Sequence, residues 1–352
     1  MTRVVLIANA REPIAEPFPG GLESMCWNLA KGLRRHGIEV ELYAGPGSDP
    51  ALDVHILPVR EHVLSRAARG DVSMPPEDFV IEHFAYQDLM VSLRGRTDID
   101  VVHNNSLHYL PLAMAPSIGT PMVTTLHTPP TPWLEPTIRH LSDPRARFVA
   151  VSRRTATVWR EVVRSSTIYN GVDTERWAAG PGGNALVWFG RMVPEKAPHR
   201  AIEIARAAGR ELVLAGPRSD RRYFDEHVRP HLGGSVSYAG HLSTYELSGL
   251  VGRSVACLVT SQWDEPFGLV VAEAMSCGTP VVVFDRGGMA EIVREGGGEV
   301  VADDDRAAAA AVDRVVGTDR ATVREIAVRR FSIDRMVRDY VDVYTAMSGG
   351  GR

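Results

Sequence analysis

The chain has 352 residues, 44% of them hydrophobic and 23% charged, with a formal net charge of −4. That length suits two domains of ordinary size, each with its own core, and the charge balance gives no reason to expect a nucleic-acid partner. No apolar run approaches the roughly 18 residues of a transmembrane helix, and the three cysteines, Cys26, Cys257 and Cys277, form no CxxC pair, which points to reduced thiols and a cytoplasmic setting.

The apolar part of the N-terminus is too short for a leader peptide and reads as a first strand. In the first half, strands are predicted at Val4–Ala8, Glu39–Ala44, Val54–Val59, Val101–Asn104, Met122–His127, Phe148–Ser152 and Thr167–Tyr169. Helical runs at Glu23–His36, Pro76–Arg94, Tyr109–Ile118 and Arg153–Val163 lie between them. Ala178–Asn184 is rich in Gly and Pro and reads as a hinge. Beyond it, strands are predicted at Ala185–Phe189, Glu211–Ala215, Val236–Ala239, Ala256–Thr260, Pro280–Phe284 and Gly298–Val301. Their helices are Pro198–Gly209, Tyr223–Leu232, Tyr245–Val251, Leu269–Cys277 and Asp305–Gly317. Two last amphipathic runs, Ala321–Arg330 and Ile333–Met347, belong to no strand.

This alternation predicts an α/β protein of two Rossmann-like, doubly wound parallel-sheet domains facing each other across a cleft. The expected domains are residues 1–177 and 178–332, with the terminal helix, 333–352, packing back on the first. Cys257 and Cys277 fall in apolar surroundings and are expected in the core.

The stretch from Trp263 to Phe284 carries the most chemistry. A loop holding Pro266 and Gly268 opens a helix, so the first N–H groups lack intrahelical acceptors and the positive dipole end is presented. Glu265 stands before that helix start. Glu273 lies inside the helix, among Ala272, Ala274 and Met275. An anion on the amides, with hydroxyls bonded to a carboxylate on either side, describes a molecule with a central diphosphate and a sugar at each end. Taken alone, Glu273 serves equally well as a dipole partner. The apolar strand that follows, Pro280–Phe284, puts the loop in an open α/β sheet, where ligands bind at the carboxyl ends of strands.

Other residues converge on the same edge. Gly20 and Gly21 close the loop after the first strand, although Pro13, Pro17 and Pro19 make that loop longer than a GxGxxG fingerprint. Gly190 ends the first strand of the second half, and Arg191 with Lys196 sets two cations where a phosphate would be met; either could also be a solvated surface group. His127, at a strand's carboxyl end, could bond a sugar hydroxyl, handle a proton or merely cap the strand. His103 has the same placement. Asp98-Ile-Asp100 and Asp303-Asp304-Asp305 resemble metal-binding DxD motifs but read as turns or helix caps, and no His/Cys/Glu cluster has metal spacing. Arg60–Arg69 is mildly basic and amphipathic, a solvated helix face in preference to a membrane-contact surface.

Together these motifs resemble family 4 glycosyltransferases, a large retaining group with the GT-B fold. The two glutamates in their Glu-Pro-Phe-Gly-Leu context are the specific part. Similar to the family pattern are also Gly20-Gly21-Leu-Glu23, Asp100-Val-Val-His103, Leu126-His127-Thr128, Val151-Ser152, Tyr169-Asn170-Gly171-Val172-Asp173, Gly190-Arg191, Ala239-Gly240-His241 and Gly287-Gly288-Met-Ala-Glu291. The resemblance implies transfer of a hexose, with retention, from a UDP-, GDP- or ADP-linked sugar to a hydroxyl acceptor (a small molecule, natural product or glycolipid precursor), with no cofactor and no metal. It further implies that Arg191 and Lys196 bind the diphosphate, assisted by amides of Phe267, Gly268 and Leu269, with Gly20 and Gly21 closing from the other domain. Glu273 would take the ribose hydroxyls and Glu265 the donor sugar. His127 would contact that sugar near its reactive carbon, and Gly240, His241 and Leu242 would line the base.

The chain departs from the pattern at Glu195-Lys196-Ala197-Pro198-His199, where the family often has Glu-Lys-Gly: the lysine is kept and the turn is expected to change. The segments Glu12–Pro19 and Glu61–Glu77 match no family feature, so the acceptor is left blank. A nucleotide-sugar epimerase or phosphorylase on the same scaffold is the alternative. A pyridoxal-phosphate phosphorylase would need a Schiff-base lysine, and only Lys31 and Lys196 exist. A non-catalytic nucleotide-sugar-binding subunit is the third reading.

Overall fold

The computed structural model describes residues 2–349. The apolar, β-branched runs of the sequence form two wholly parallel sheets. The first contains β1 (Arg3–Ile7), β2 (Glu39–Ala44), β3 (Val54–Ile56), β4 (Val101–Asn104), β5 (Met122–Leu126), β6 (Arg147–Ala150) and β7 (Ser166–Thr167), in the order β3-β2-β1-β4-β5-β6-β7. The second contains β8 (Leu186–Phe189), β9 (Leu212–Ala215), β10 (Val236–Tyr238), β11 (Ala256–Val259), β12 (Val281–Phe284) and β13 (Gly298–Val301), in the order β10-β9-β8-β11-β12-β13. Leu6 lies opposite Leu42 and His103, and Val282 lies opposite Leu258 and Glu299. Strands β8, β11 and β12 are buried along their whole length, as their unbroken apolar sequences require. Strand order reverses beside β1 in one sheet and β8 in the other, which opens a crevice at the carboxyl edge of each.

Five helices position the site: α1 (Gly21–Arg35), α2 (Arg153–Trp159), α3 (Leu269–Ser276), α4 (Met289–Val293) and α5 (Ile333–Ser348). Elsewhere two expected helices are cut by proline. The run Tyr109–Ile118 is α-helical only over Leu110–Met114 before a 3-10 turn carrying Pro116, and Tyr223–Leu232 yields at His227 to a 3-10 turn carrying Pro230. The basic stretch Arg60–Arg69 forms only a single helical turn, Arg66–Arg69, with no buried residue, where the sequence predicts a longer helix face. No helix among the described residues is long and apolar enough to cross a membrane. Cys26, Cys257 and Cys277 are buried free thiols.

The Gly/Pro run at Ala178–Asn184 is not a free hinge. Gly180 N–H donates to the Cys277 carbonyl and Gly182 N–H to the Gly252 carbonyl, strapping the segment to the second domain. The chain crosses between the sheets beside Val172 and returns at Phe331–Ile333. There Val172 N–H donates to the Phe331 carbonyl (2.7 Å) and Ile333 N–H to the Val172 carbonyl (3.1 Å). Two strands of one crossing thus brace each other.

After the return, α5 lies on α1, burying Ile333, Met336, Val337, Tyr340 and Tyr344 in the first-domain core. A buried polar network fixes it. Tyr344 Oη is 2.7 Å from His103 Nδ1, His103 Nε2 is 2.8 Å from Thr125 Oγ1, and that hydroxyl is 2.9 Å from Tyr340 Oη. His103 therefore does not face the crevice: its ring is fully buried, and burial pushes its pKa down to about 3. The sequence placed it at a strand's carboxyl end, but within β4 its side chain projects to the helix-covered face. Tyr344→Phe leaves His103 Nδ1 without a partner and is expected to cost about 1–3 kcal/mol, measured as a lower urea midpoint at unchanged m-value.

Candidate active site

One cavity of about 590 Å³ lies between the two domains and takes lining from the carboxyl ends of strands in both sheets. The first domain contributes Asn9 and Glu12 from the loop after β1, the start of α1, and His127 after β5. The second contributes Arg191 after β8, Lys196, His241 and Leu242 after β10, and the segment from Ser261 to Glu273 after β11.

The phosphate-suited corner is built by the start of α3. Gly268 caps that helix with φ +94, a conformation L side chains rarely adopt, and a Cβ there would stand 2.9 Å from Met289 Cγ. Phe267 is buried behind it, 2% exposed. Leu269 and Val270 of the first turn line the cavity, where N–H groups at a helix start lack the usual intrahelical acceptors. Lys196 reaches the same corner on a 3-10 turn, Pro194–Lys196. Where the sequence departs from the family pattern, Ala197 takes the left-handed conformation, φ 49 and ψ 53, and leads into Pro198 at the next helix start. Arg191 is more exposed and pairs loosely with Glu195 at 3.5 Å.

The two glutamates differ sharply. Glu265, 7% exposed, accepts from Lys196 Nζ and, at 2.6 Å, from Ser261 Oγ. Both bonds fall on Oε1. Glu273 has no side-chain hydrogen bond or ion pair among the described residues; its carboxyl lines the cavity, and burial pushes its pKa up to about 8. His127 Nε2 is 3.1 Å from Asn105 Oδ1. With that amide oxygen accepting, Nδ1 is left as an acceptor. Burial pushes the ring's pKa down to about 3, so it is neutral near pH 7.

Across the cleft, the N-terminus of α1 faces the start of α3. A Cβ on Gly21 would come within 3.0 Å of Leu269 Cδ1, so a side chain there would hold the domains apart. His241 Nε2 is 3.2 Å from the Phe18 carbonyl, and Glu16 accepts from Arg176 (2.7 Å) and from Thr244. At the back of the cleft Glu291, from α4, accepts from the N–H groups of Arg153 (3.2 Å) and Arg154 (3.0 Å) and from the Tyr169 hydroxyl (2.9 Å). One domain's carboxylate thus caps the other domain's helix α2.

The structure gathers Gly20, Gly21, His127, Arg191, Lys196, His241, Leu242, Glu265, Phe267, Gly268, Leu269 and Glu273 around this cavity. Gly240 is not part of the lining; its carbonyl accepts from Gly216 N–H and it turns the chain so that the next two residues reach the cavity. Asp304 caps a helix through the N–H of Ala307, while Asp98 and Asp303 sit in arginine ion pairs. The sequence reading did not single out Asn9, Glu12, Glu23, Asn170, Ser261 or Trp263 as site residues. Asn9 and Ser261 could have been found by the rule that residues just after parallel strands reach the ligand.

Two family models abut along the chain: Glycosyltransferase Family 4 over residues 19–176 and Glycosyl transferases group 1 over residues 173–325. The chain belongs to glycosyltransferase family 4. A glycogen synthase of Mycobacterium tuberculosis is 35% identical over 142 residues, which is 37% of this chain and about a third (34%) of that protein's length. A D-inositol 3-phosphate glycosyltransferase of Gordonia bronchialis is 26% identical over 84% of this chain and 76% of its own. Among solved structures, AviGT4, a glycosyltransferase involved in avilamycin A biosynthesis, superposes with a TM-score of 0.74 at 26% identity, covering 100% of this chain and 99% of that one. Anabaena HepE in complex with UDP and glucose shares the fold at 18% identity and TM-score 0.76, over 98% and 100%. The chain thus shares the two-domain GT-B architecture of these proteins.

Glu273 gives this family member a pH signature. Its carboxyl keeps a proton in the folded protein up to about pH 8, but in the unfolded chain only up to the ordinary value of 4.5. Between those values unfolding releases a proton, so stability falls as pH rises. Glu273→Gln has no proton to lose. Without ligand it is expected to be more stable than wild type at pH 8, because only the wild type must hold a proton that its unfolded chain releases. The difference should vanish near pH 4.5, as read from thermal midpoints across that range.

Proposed function

We propose that the enzyme moves a sugar from a nucleoside diphosphate sugar to a hydroxyl acceptor, with retention at the anomeric carbon and without a divalent metal. The observation that carries this reading is the corner where the start of α3, Lys196 and the unpartnered Glu273 meet in one cavity. There the diphosphate takes the helix amides and Lys196, with Arg191 moving in from the rim. The cations and dipole stabilise the charge that develops on the departing phosphate, the task a metal performs elsewhere. Ribose hydroxyls donate to Glu273, which ionises as they bind. His241 and Leu242 lie beside the base.

Glu265 keeps Oε2 clear of the Lys196 and Ser261 contacts and is placed to accept from hydroxyls of the transferred sugar. His127, neutral and with Nδ1 open, serves as a hydrogen-bond acceptor near the reacting carbon and is too weak a base at pH 7 to remove a proton unaided. The acceptor's proton then passes to the leaving phosphate oxygen on the same face of the sugar, which gives retention. A non-catalytic binding subunit would not need the second domain's corner to face a closing first domain.

A thermal-shift panel tests the donor, with UDP-glucose, which fold neighbours hold, beside GDP- and ADP-linked sugars. The true donor should stabilise by about 2.7 kcal/mol at a hundred times its Kd. Its affinity should rise as pH climbs toward 8, because the ionised Glu273 is the form that binds. Glu273→Ala is expected to weaken donor binding roughly 10- to 100-fold and remove that pH dependence. Glu265→Ala should lower kcat more than affinity. Calorimetry and initial rates that leave both variants near wild type would sink the assignment.

A further inference from the structure

The two halves of the cavity carry opposite chemistry. Its cations, Arg191 and Lys196, both come from the second domain. Among the described residues, the first-domain lining holds no lysine or arginine; it offers the carboxyls of Glu12 and Glu23, the amide of Asn9, the Thr128 hydroxyl and the neutral His127. The neighbouring cation, Arg11, is drawn off by Glu82, to which it donates at 2.6–2.7 Å. Glu23 is 5% exposed and accepts from Asn9 Nδ2 at 3.2 Å, so its oxygens are fixed at the cavity wall.

Two further groups on the lining lack protein partners. Asn170 is 7% exposed and its Oδ1 is buried with no hydrogen bond; Thr128 Oγ1 is likewise buried and unpaired. Buried polar atoms are rarely left so unless a ligand or water completes them. Carboxylates and an amide oxygen accept hydrogen bonds, and a hydroxyl does both. Such a set matches a molecule rich in O–H donors and disfavours one bearing phosphate or carboxylate, since Glu12 and Glu23 repel an anion and only Arg191, from across the cleft, offsets Glu23.

Resting on the reading of the cleft as a glycosyl-transfer site, we infer that the acceptor presents an uncharged polyhydroxy end, a sugar or cyclitol without phosphate or carboxylate, to Asn9, Glu12, Glu23, Thr128 and Asn170. The donor half grips an anion, and the acceptor half turns anions away. This arrangement also keeps the acceptor out of the diphosphate corner, where a sugar phosphate would compete with the donor.

Matched pairs test the inference: glucose with glucose 6-phosphate, and myo-inositol with myo-inositol 3-phosphate, each with the donor that the thermal-shift panel selects. Product is read by mass spectrometry and nucleotide release by a coupled assay. The expected result is a kcat/KM at least tenfold higher for the unphosphorylated member, narrowing severalfold in Glu12→Gln at low salt, where screening is least. Equal or better use of the phosphorylated member overturns the inference. So does a ratio that Glu12→Gln does not move, or transfer to neither member of either pair by protein that still releases nucleotide from the donor. A protein that binds no nucleotide sugar in the panel fails the parent reading instead, and the two failures are told apart by the thermal shift.

Discussion

The cleft depends on one constraint: two parallel sheets must be held with their carboxyl edges facing. The paired crossing at Val172 and Phe331–Ile333 supplies it, because each pass of the chain satisfies the other's backbone. Glu291 capping α2 and the α5 network around His103 fix the geometry on either side of that crossing. None of these groups lines the cavity, with Tyr169 and Glu291 behind it and Tyr344 beneath the first sheet. They decide how far apart Gly21 and Leu269 stand, and so whether both halves can reach one ligand.

Within the cleft, stability and binding pull in different directions. Glu265 is satisfied in the ligand-free protein, holding Lys196 and Ser261 in place. Glu273 is not: it sits partly buried beside apolar helix neighbours without a partner, and burial raises its pKa. A carboxyl left in that condition marks where a ligand's hydroxyls complete the structure. Ala197 shows a similar compromise in the backbone, since a left-handed alanine is strained where glycine would be relaxed, yet it closes the turn that carries Lys196.

The electrostatic asymmetry between the halves gives the site a direction. The lysine and arginine of the lining are confined to the second domain, while carboxyl groups line both halves. On the proposed reading, a diphosphate would meet the second domain's cations and hydroxyl groups would meet the first domain's side. The loop from Glu12 to Pro19, which matches no family feature, bridges the halves through Glu16 and Phe18 and contributes Glu12 to the wall.

Much of this was legible in the residues alone. Period and composition gave both parallel sheets, because strands buried on two faces must be apolar throughout, as Val281–Phe284 is. The glutamate pair and the glycine between them pointed to a helix start at the cavity edge, where the structure places all three, because such a start is a local property. What depended on distant partners was not legible. His103 and His127 end similar strands, yet one is consumed by Tyr344 and Thr125 and the other faces the cavity. The Gly/Pro run at Ala178–Asn184 looked mobile by composition and is strapped down by carbonyls some 70 to 100 residues away. Sequence alone determined the fold class and the family, since these rest on local pattern. Only the tertiary structure decided which carboxylate is paired and which is bare, and which charges face the acceptor, because those follow from through-space neighbours that chain order does not encode.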